Sequence, residues 1–330
     1  MRRVWWHLSD YISHRRAGEA YRRCLSLAGF EVVDRPELAE LAVVHEDPLF
    51  WPRIFAAAPV LRQKPVVGYA VWEGGILPEV YRPGLGLVDA VWTASTFSAR
   101  ALQQGHSNVR VLPHVVAAIV PADADLRWAA DKLGAGRYFF SIMDAVNPRK
   151  NLEALLRVFA RVRPMAGDIR LVIKQYRKEV SLDGLSGVIS LGEEVSEGRL
   201  AALHRGALAY VSPHRGEAWG LGLSEAMSHG VTVLATGWSG NMDFMDEGNS
   251  VPLRYALEPV GGRMAGMPPH YRPEMLWAKV EETHLEREML RLIRRGPDPA
   301  RCERARAVTE RFSPIRVAGM LKKLIAGMNG

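Results

Sequence analysis

At 330 residues the chain is too long for one ordinary hydrophobic core and suits two domains. Its 48% hydrophobic and 24% charged residues exclude a disordered chain. A formal charge of +7 and a pI near 9.5 favour anionic partners such as nucleotides, phospholipid surfaces or nucleic acid, without choosing among them. No Lys/Arg-rich run, zinc spacing or aromatic-basic pattern supports a nucleic-acid module, so no nucleic-acid partner is expected. No apolar run is long enough to span a bilayer. The opening MRRVWWHLSDYISHRR lacks an apolar segment with a small-residue cleavage site, so a signal peptide is not expected. Cys24 and Cys302 lie far apart, give no metal-ligand spacing, and fit reduced thiols in a cytoplasmic protein.

Short β-branched runs alternate with helical patterns, the signature of βαβ units and parallel sheets. Strands are predicted at Val4–Leu8, Glu31–Val33, Leu41–Val44, Pro65–Tyr69, Ala90–Thr93 and Val109–Leu112. Helices are predicted at Gly18–Gly29 and at Thr96–Gly105, with Thr96 as N-cap. A looser stretch from Pro113 to Gly136 reads as a link between domains. The wound pattern then restarts, with strands at Tyr138–Ile142, Ile169–Lys174, Val188–Leu191, Ala209–Ser212 and Val231–Thr236. Helices fall at Asn151–Val162, Ser196–Arg205 and Leu221–His229, and the tail is predicted helical over Pro273–Arg295, Pro299–Arg311 and Pro314–Met328. Two such halves imply a cleft, because ligands of open parallel sheets sit beyond the carboxyl ends of the strands.

The segment SPHRGEAWGLGLSE, Ser212–Glu225, carries the most chemistry. A strand ends, a glycine-containing polar loop follows, and a helix starts near Gly220. Unpaired N–H groups at a helix start, with the macrodipole, make an anion site suited to a diphosphate. Glu217 in the loop can accept bonds from sugar hydroxyls beside it, and Glu225, a turn inside the helix, can reach a ribose diol. Taken alone, two glutamates near a helix start are also ordinary stabilising residues. NPRKN, Asn147–Asn151, lies between a strand and its helix, where Arg149 and Lys150 can neutralise charge on a leaving diphosphate.

From about Val188 to Ser250 the sequence resembles, without a gap, the E-x7-E region of family-four retaining glycosyltransferases. The resemblance implies a GT-B fold: two Rossmann-like α/β domains whose parallel sheets face each other across a cleft. RFSPIRVAGMLKKLIAGM resembles the last helix of that family, which crosses back to the first domain. The implied division is 1–118 for the acceptor-side domain, 119–136 for the linker, 137–312 for the nucleotide-sugar domain and 313–330 for the returning helix. The resemblance also implies that Glu217 contacts the donor sugar, Glu225 the ribose, and backbone at Gly220 and Leu221 the diphosphate. NPRKN is similar to a subgroup with Arg-Lys-Asn; Ile142 and Met143 stand where other members carry an earlier Arg, so Lys174 is a candidate for the missing charge. Gly18 keeps the position of the family's glycine-rich loop but not its richness. GYAVWEGGILPEVYR resembles a strand followed by Trp-Glu, which implies that Tyr69, Trp72 and Glu73 face the cleft from the acceptor side. His45, after the third strand, is a further acceptor-side candidate.

Asp123-Ala124-Asp125 is a formal DxD, but it precedes a helix in the linker and reads as helix-start charge, so no metal or other cofactor is expected. The expected activity is metal-independent, retaining transfer of a hexose-type sugar from a nucleotide-diphosphate sugar to a glycan, lipid-linked or small-molecule acceptor, by front-face displacement. Such a role belongs to polysaccharide synthesis at the family level. The alternatives are a non-catalytic glycosyltransferase-like partner subunit, or another GT-B enzyme such as a nucleotide-sugar epimerase. Arg2, Arg3, Trp5 and Trp6, with the basic Arg15–Arg23 stretch, suggest peripheral contact with an anionic membrane.

Overall fold

A computed structural model describes residues 2–267 and 269–328. The end residues of the outermost predicted segments, Met1 and Asn329–Gly330, lie outside them. Two parallel six-stranded sheets organise the chain. The first contains β1 (Arg3–Trp6), β2 (Glu31–Val33), β3 (Leu41–His45), β4 (Val66–Tyr69), β5 (Ala90–Thr93) and β6 (Val109–Val111), in the order β2-β1-β3-β4-β5-β6. The second contains β7 (Tyr138–Met143), β8 (Arg170–Gln175), β9 (Val188–Leu191), β10 (Ala209–Ser212), β11 (Val233–Thr236) and β12 (Val251–Leu253), in the order β12-β11-β10-β7-β8-β9. Helices cover both faces, so the central strands are buried: every residue of β3, LAVVH, and of β4, VVGY, is buried, while edge strand β2 keeps Glu31 exposed.

The two orders place the functional loops. In the first sheet the chain reverses its direction of winding between β1 and β3; in the second it does so between β7 and β10. A crevice opens at each such switch point, beyond the carboxyl ends of the strands. The loops after β7 and β10 contain Arg149, Lys150 and Glu217, and Arg149 meets Glu73, in the loop after β4, across the cleft.

The halves are tied at the far end by the returning helix Pro314–Ala326. Its Val317, Ala318, Leu321 and Ile325 join the core of the first half with Val4, Trp6 and Tyr21. Three predicted elements need correction. The first helix runs Ile12–Leu27 and starts six residues before the expected Gly18. Ser95, not Thr96, caps the helix Thr96–Leu102, accepting from the Ser98 N–H at 3.1 Å; Thr96 instead binds Asp243 through its N–H and hydroxyl, at 2.7 and 2.6 Å. The predicted helix Pro273–Arg295 is a strand followed by a helix. β13 (Tyr255–Pro259) and β14 (Leu276–Val280) form an antiparallel hairpin, and the helix is Glu282–Arg295.

That hairpin and the loop it carries form an arm from the second half onto the first. Val260, Met264, Met275 and Trp277 pack in one cluster with Trp51, Trp72 and Tyr81. Tyr271 lies 4.8 Å from Trp72, ring centroid to centroid, and His270 pairs with Asp47 at 3.1 Å.

Candidate active site

The site starts from Asn151. Its backbone is left-handed, φ 59° and ψ 43°, a conformation that asparagine tolerates better than most residues. The turn ends the short helix Pro148–Lys150 and starts the helix Leu152–Val162. The Asn151 amide donates to the Pro213 carbonyl at 2.9 Å, which ties the loop after β7 to the loop after β10. Arg149 and Lys150 are thereby held over Glu217.

Glu217 is buried between them. One carboxylate oxygen pairs with the Lys150 ammonium, the other lies 3.3 Å from Arg149 Nη1. Arg149 also donates to the Gly216 carbonyl at 2.6 Å and lies 2.7 Å from Glu73 of the first half. It therefore joins the halves across the cleft. The backbone of Glu217 is fixed as well: its N–H donates to Ser239 Oγ at 2.8 Å, and its carbonyl accepts from the Gly240 N–H at 2.8 Å. Ser239 sits at φ 82°, a strained backbone for a residue with a side chain, of the kind that persists where the surroundings over-determine it. His214, buried and bonded to Ser212 and Asn241, completes the loop; burial pushes its imidazole down to about 4, so it is neutral near pH 7.

Burial pushes the Glu217 carboxyl up, but Lys150 and then Arg149 outweigh it and hold it at about 2, against an ordinary 4.5. A group whose pKa is depressed on folding stabilises the fold above its unfolded value. Here that contribution is present above about pH 4.5 and is lost as the pH falls toward 2. Urea midpoints of wild type and Glu217→Gln, compared from pH 7 to pH 3, are expected to converge on acidification. A gap independent of pH would contradict the ionised, cation-paired carboxylate.

The helix Leu221–Ser228 begins beside Glu217. Its cap, Gly220, has φ 99°, which only glycine adopts without strain. The free N–H groups of the first turn remain available to an anion. Leu221 and Glu225 line a cavity of about 250 Å³ between the halves, with Glu197, His204 and the hinge residue His114. Glu225 is not vacant: Arg16 of the first half donates to it at 3.0 Å, and His204 lies 3.7 Å away. Burial raises its carboxyl, and His204 and Arg16 bring it below the ordinary range.

Other expected site residues stand elsewhere. Gly18 is inside a helix, not a loop, and a Cβ there would lie 2.8 Å from Leu8 and 3.2 Å from His45. Its small size lets the helix close on β1 and β3, so it packs rather than binds. His45 is buried and accepts from the Trp6 indole at 3.2 Å. Tyr69 is also a core residue, its hydroxyl bonded to Tyr21 at 2.6 Å and to the Leu112 carbonyl at 3.1 Å. Trp72 is buried under Tyr271, with its indole N–H on the Ile76 carbonyl at 2.8 Å. Lys174 donates to the Gln175 carbonyl and faces Glu179, Glu193 and Glu194, on the β9 side, rather than Glu217. Of the acceptor-side candidates, Glu73 alone joins the Arg149 cluster.

The structure adds residues that the sequence reading did not select. Tyr11, from the loop after β1, and Tyr176, after β8, come within hydrogen-bonding reach of each other in the field of Arg149. Arg177 stands 5.3 Å from the centre of the Tyr11 ring and 3.2 Å from Asp144. Ser239 and His214 lie inside the resembling region Val188–Ser250, and Arg16 inside the basic stretch Arg15–Arg23. Tyr11 carried no signal, since only the meeting of the two halves makes it part of the site.

Residues 129–252 match the family model described as glycosyl transferases group 1. No curated protein matches the chain by sequence. The whole chain superposes on sucrose-phosphate synthase from Thermosynechococcus elongatus, with a TM-score of 0.69 at 15% identity over 99% of both chains. WaaG, a glycosyltransferase involved in lipopolysaccharide biosynthesis, gives 0.61 at 12% identity over 98% of this chain and 100% of that one. The pneumococcal O-GlcNAc transferase GtfA, in complex with UDP and GlcNAc, gives 0.61 at 12% identity over 87% of this chain and 56% of that longer one. These likenesses establish the fold, and the family match covers β7 to β12 and the loops that hold Lys150 and Glu217. Residues 129–252 thus match glycosyl transferases group 1, and the chain as a whole has the fold of the GT-B glycosyltransferase structures on which it superposes.

Proposed function

We propose that the chain transfers a hexose-type sugar from a nucleotide-diphosphate sugar to a hydroxyl acceptor, retaining the anomeric configuration and using no metal. The observation that carries this reading is Glu217 held ionised between Lys150 and Arg149 beside the Gly220 helix start. A diphosphate placed at that helix start draws Lys150 and Arg149 onto its oxygens, where they stabilise the charge that develops as the glycosidic bond breaks. Glu217 is then released to accept bonds from the donor sugar's hydroxyls and fix its pose. The acceptor hydroxyl attacks the face the diphosphate leaves, and its proton passes to a leaving phosphate oxygen, so no protein nucleophile is required. Glu225 takes the ribose diol once Arg16 swings aside. The domains 1–118 and 137–312 would close on the donor as units. The acceptor classes that fit this reaction are a glycan, a lipid-linked sugar and a small molecule with a free hydroxyl.

Slow hydrolysis of the donor tests retention without a known acceptor. Proton NMR on the first product released, before mutarotation, is expected to show the donor's own anomeric configuration. An inverted first product would rule out front-face displacement. Turnover by the purified chain alone would also set aside a purely non-catalytic partner role.

A further inference from the structure

The hairpin of the second half has one closed edge and one open edge. On β14 the Ala278 N–H donates outside the hairpin, to the Arg215 carbonyl at 2.9 Å. On β13 the bonds to β14 fall at alternate residues. The Arg254 carbonyl accepts from the Glu281 N–H at 2.7 Å, and the Val260 N–H donates to the Met275 carbonyl at 2.8 Å, so Ala256 and Glu258 between them also face β14. Tyr255 and Leu257 therefore turn their N–H and C=O groups away from the hairpin. Among the described residues, none bonds to those four groups. Pro259 ends the open stretch, because it has no N–H and its carbonyl accepts from Arg263 at 3.2 Å. Tyr255, Ala256, Leu257 and Pro259 are all exposed. Exposed edges are usually blunted by charge or proline, but between Arg254 and Glu258 this one reads Tyr-Ala-Leu.

The side chains along this edge are self-complementary. An antiparallel copy related by a two-fold axis at Ala256 sets Tyr255 of each chain against Leu257 of the other. All four outward backbone groups then pair. On one face of the hairpin, Tyr255 and Leu257 stand across from Val280 and Ala278, and they remain 40% and 49% exposed. The copy continues that face as an apolar row: Val280 and Tyr255 of one chain, then Leu257 and Ala278 of the other. On the opposite face Arg254, paired with Glu281 at 2.7 Å, meets Glu258 of the copy, so the row alternates in sign. Glu258 already has Arg215 at 2.5 Å and Arg263 at 3.2 Å, so this contact sets register, while the backbone bonds and the apolar row supply the strength. An axis moved to Leu257 would set Tyr255 against Pro259, which cannot donate, and take Arg254 away from Glu258.

We propose that β13 pairs with β13 of a second copy of this chain about a two-fold axis at Ala256, so that two hairpins form one four-stranded antiparallel sheet and the chain is a homodimer. A hairpin of two strands is marginal alone, and the second pair of strands completes it. The sheet braces the hairpin that holds the Arg215 carbonyl, in the loop that also carries Glu217.

Sedimentation equilibrium on the full chain is expected to show a reversible monomer–dimer equilibrium. Leu257→Pro removes an N–H that bonds to nothing within the chain, so the fold is spared, and its urea midpoint checks this. It is expected to weaken the dimer about tenfold or more, through the hydrogen bonds lost on both sides of the axis. Disulfide trapping reads the register. Opposed residues that do not exchange backbone bonds lie about 4.5 Å apart at Cα, within disulfide reach, and Ala256 is such a position on the axis. Ala256→Cys is expected to link two chains on oxidation, and Leu257→Cys, off the axis, to link far less. Both are made in a Cys302→Ser chain, since Cys24 is buried. A chain that stays monomeric up to its solubility limit overturns the proposal and leaves this edge to an extended segment of another protein. A dimer that Leu257→Pro leaves intact, or that Leu257→Cys links as readily as Ala256→Cys, overturns it as well.

Discussion

Lys150→Met is expected to lower turnover of the nucleotide-sugar donor by roughly a hundred- to a thousandfold, the usual loss when one preorganised charge at a leaving group is removed. The ammonium is half of the cation pair over Glu217, and its position is set by the turn at Asn151 rather than by its own flexible stem. Removing it leaves Glu217 buried beside Arg149 alone, at 3.3 Å. Breaking one partner of a buried pair is destabilising, by about 3–5 kcal/mol when no other cation remains. Arg149 reduces that cost here, so the variant should fold while its turnover falls. Steady-state kinetics with donor hydrolysis as readout separates the effects. A fall in kcat with KM little changed marks a charge used in the transition state. Turnover within threefold of wild type would show that Lys150 does not serve the leaving group.

Gly240→Ala is expected to cost both stability and activity. A Cβ at this position would lie 2.0 Å from the Ala218 carbonyl oxygen and 2.4 Å from its carbon, both backbone atoms that cannot rotate aside. Overpacking typically costs about 1–3 kcal/mol, and a backbone-to-backbone clash belongs at the upper end. The relief must come from the loop itself, and Gly240 is the residue whose N–H holds the Glu217 carbonyl at 2.8 Å. Displacing it moves Glu217 away from Lys150. A urea midpoint and a donor-hydrolysis rate measured on one preparation should fall together. A variant with wild-type turnover would show that the loop after β11 does not position Glu217.

The sequence made the parallel architecture readable because its strands are short apolar runs rich in valine that alternate with helical patterns. Glu31–Val33, Ala90–Thr93, Val188–Leu191 and Ala209–Ser212 fall where the alternation places them. The hairpin Tyr255–Pro259 and Leu276–Val280 was hidden for a physical reason. β14 is followed by only Glu281 before the helix Glu282–Arg295, so a helical pattern extended backward swallows it. Its buried Trp277 is covered by the Arg215 guanidinium, a contact that no local period encodes. The first helix was cut short for a related reason. Gly18 reads as a helix boundary by propensity, yet close packing on Leu8 and His45 requires a small residue there.

The same division holds in the site. Glu217, Lys150 and Arg149 sit on two loops of one sheet, close in the winding order, and their meeting follows from strand order once the fold is known. Tyr69 and His45 share the strand-end positions that make acceptor-side residues, but their side chains turn into the core between sheet and helix. Residue type and strand position do not settle which way an end residue points. The Arg16–Glu225 bond joins residues 209 positions apart, and only the packing of the two halves reveals it.

Titration calorimetry of UDP, GDP, ADP and dTDP into wild type, Lys150→Ala and Glu225→Ala tests the account most directly. Selective binding of one nucleotide is predicted, weakened about tenfold or more in each variant, as expected for losing a hydrogen bond to a charged group. Binding of none, or binding that both variants leave unchanged, would contradict a donor site built on Lys150, Glu217 and Glu225.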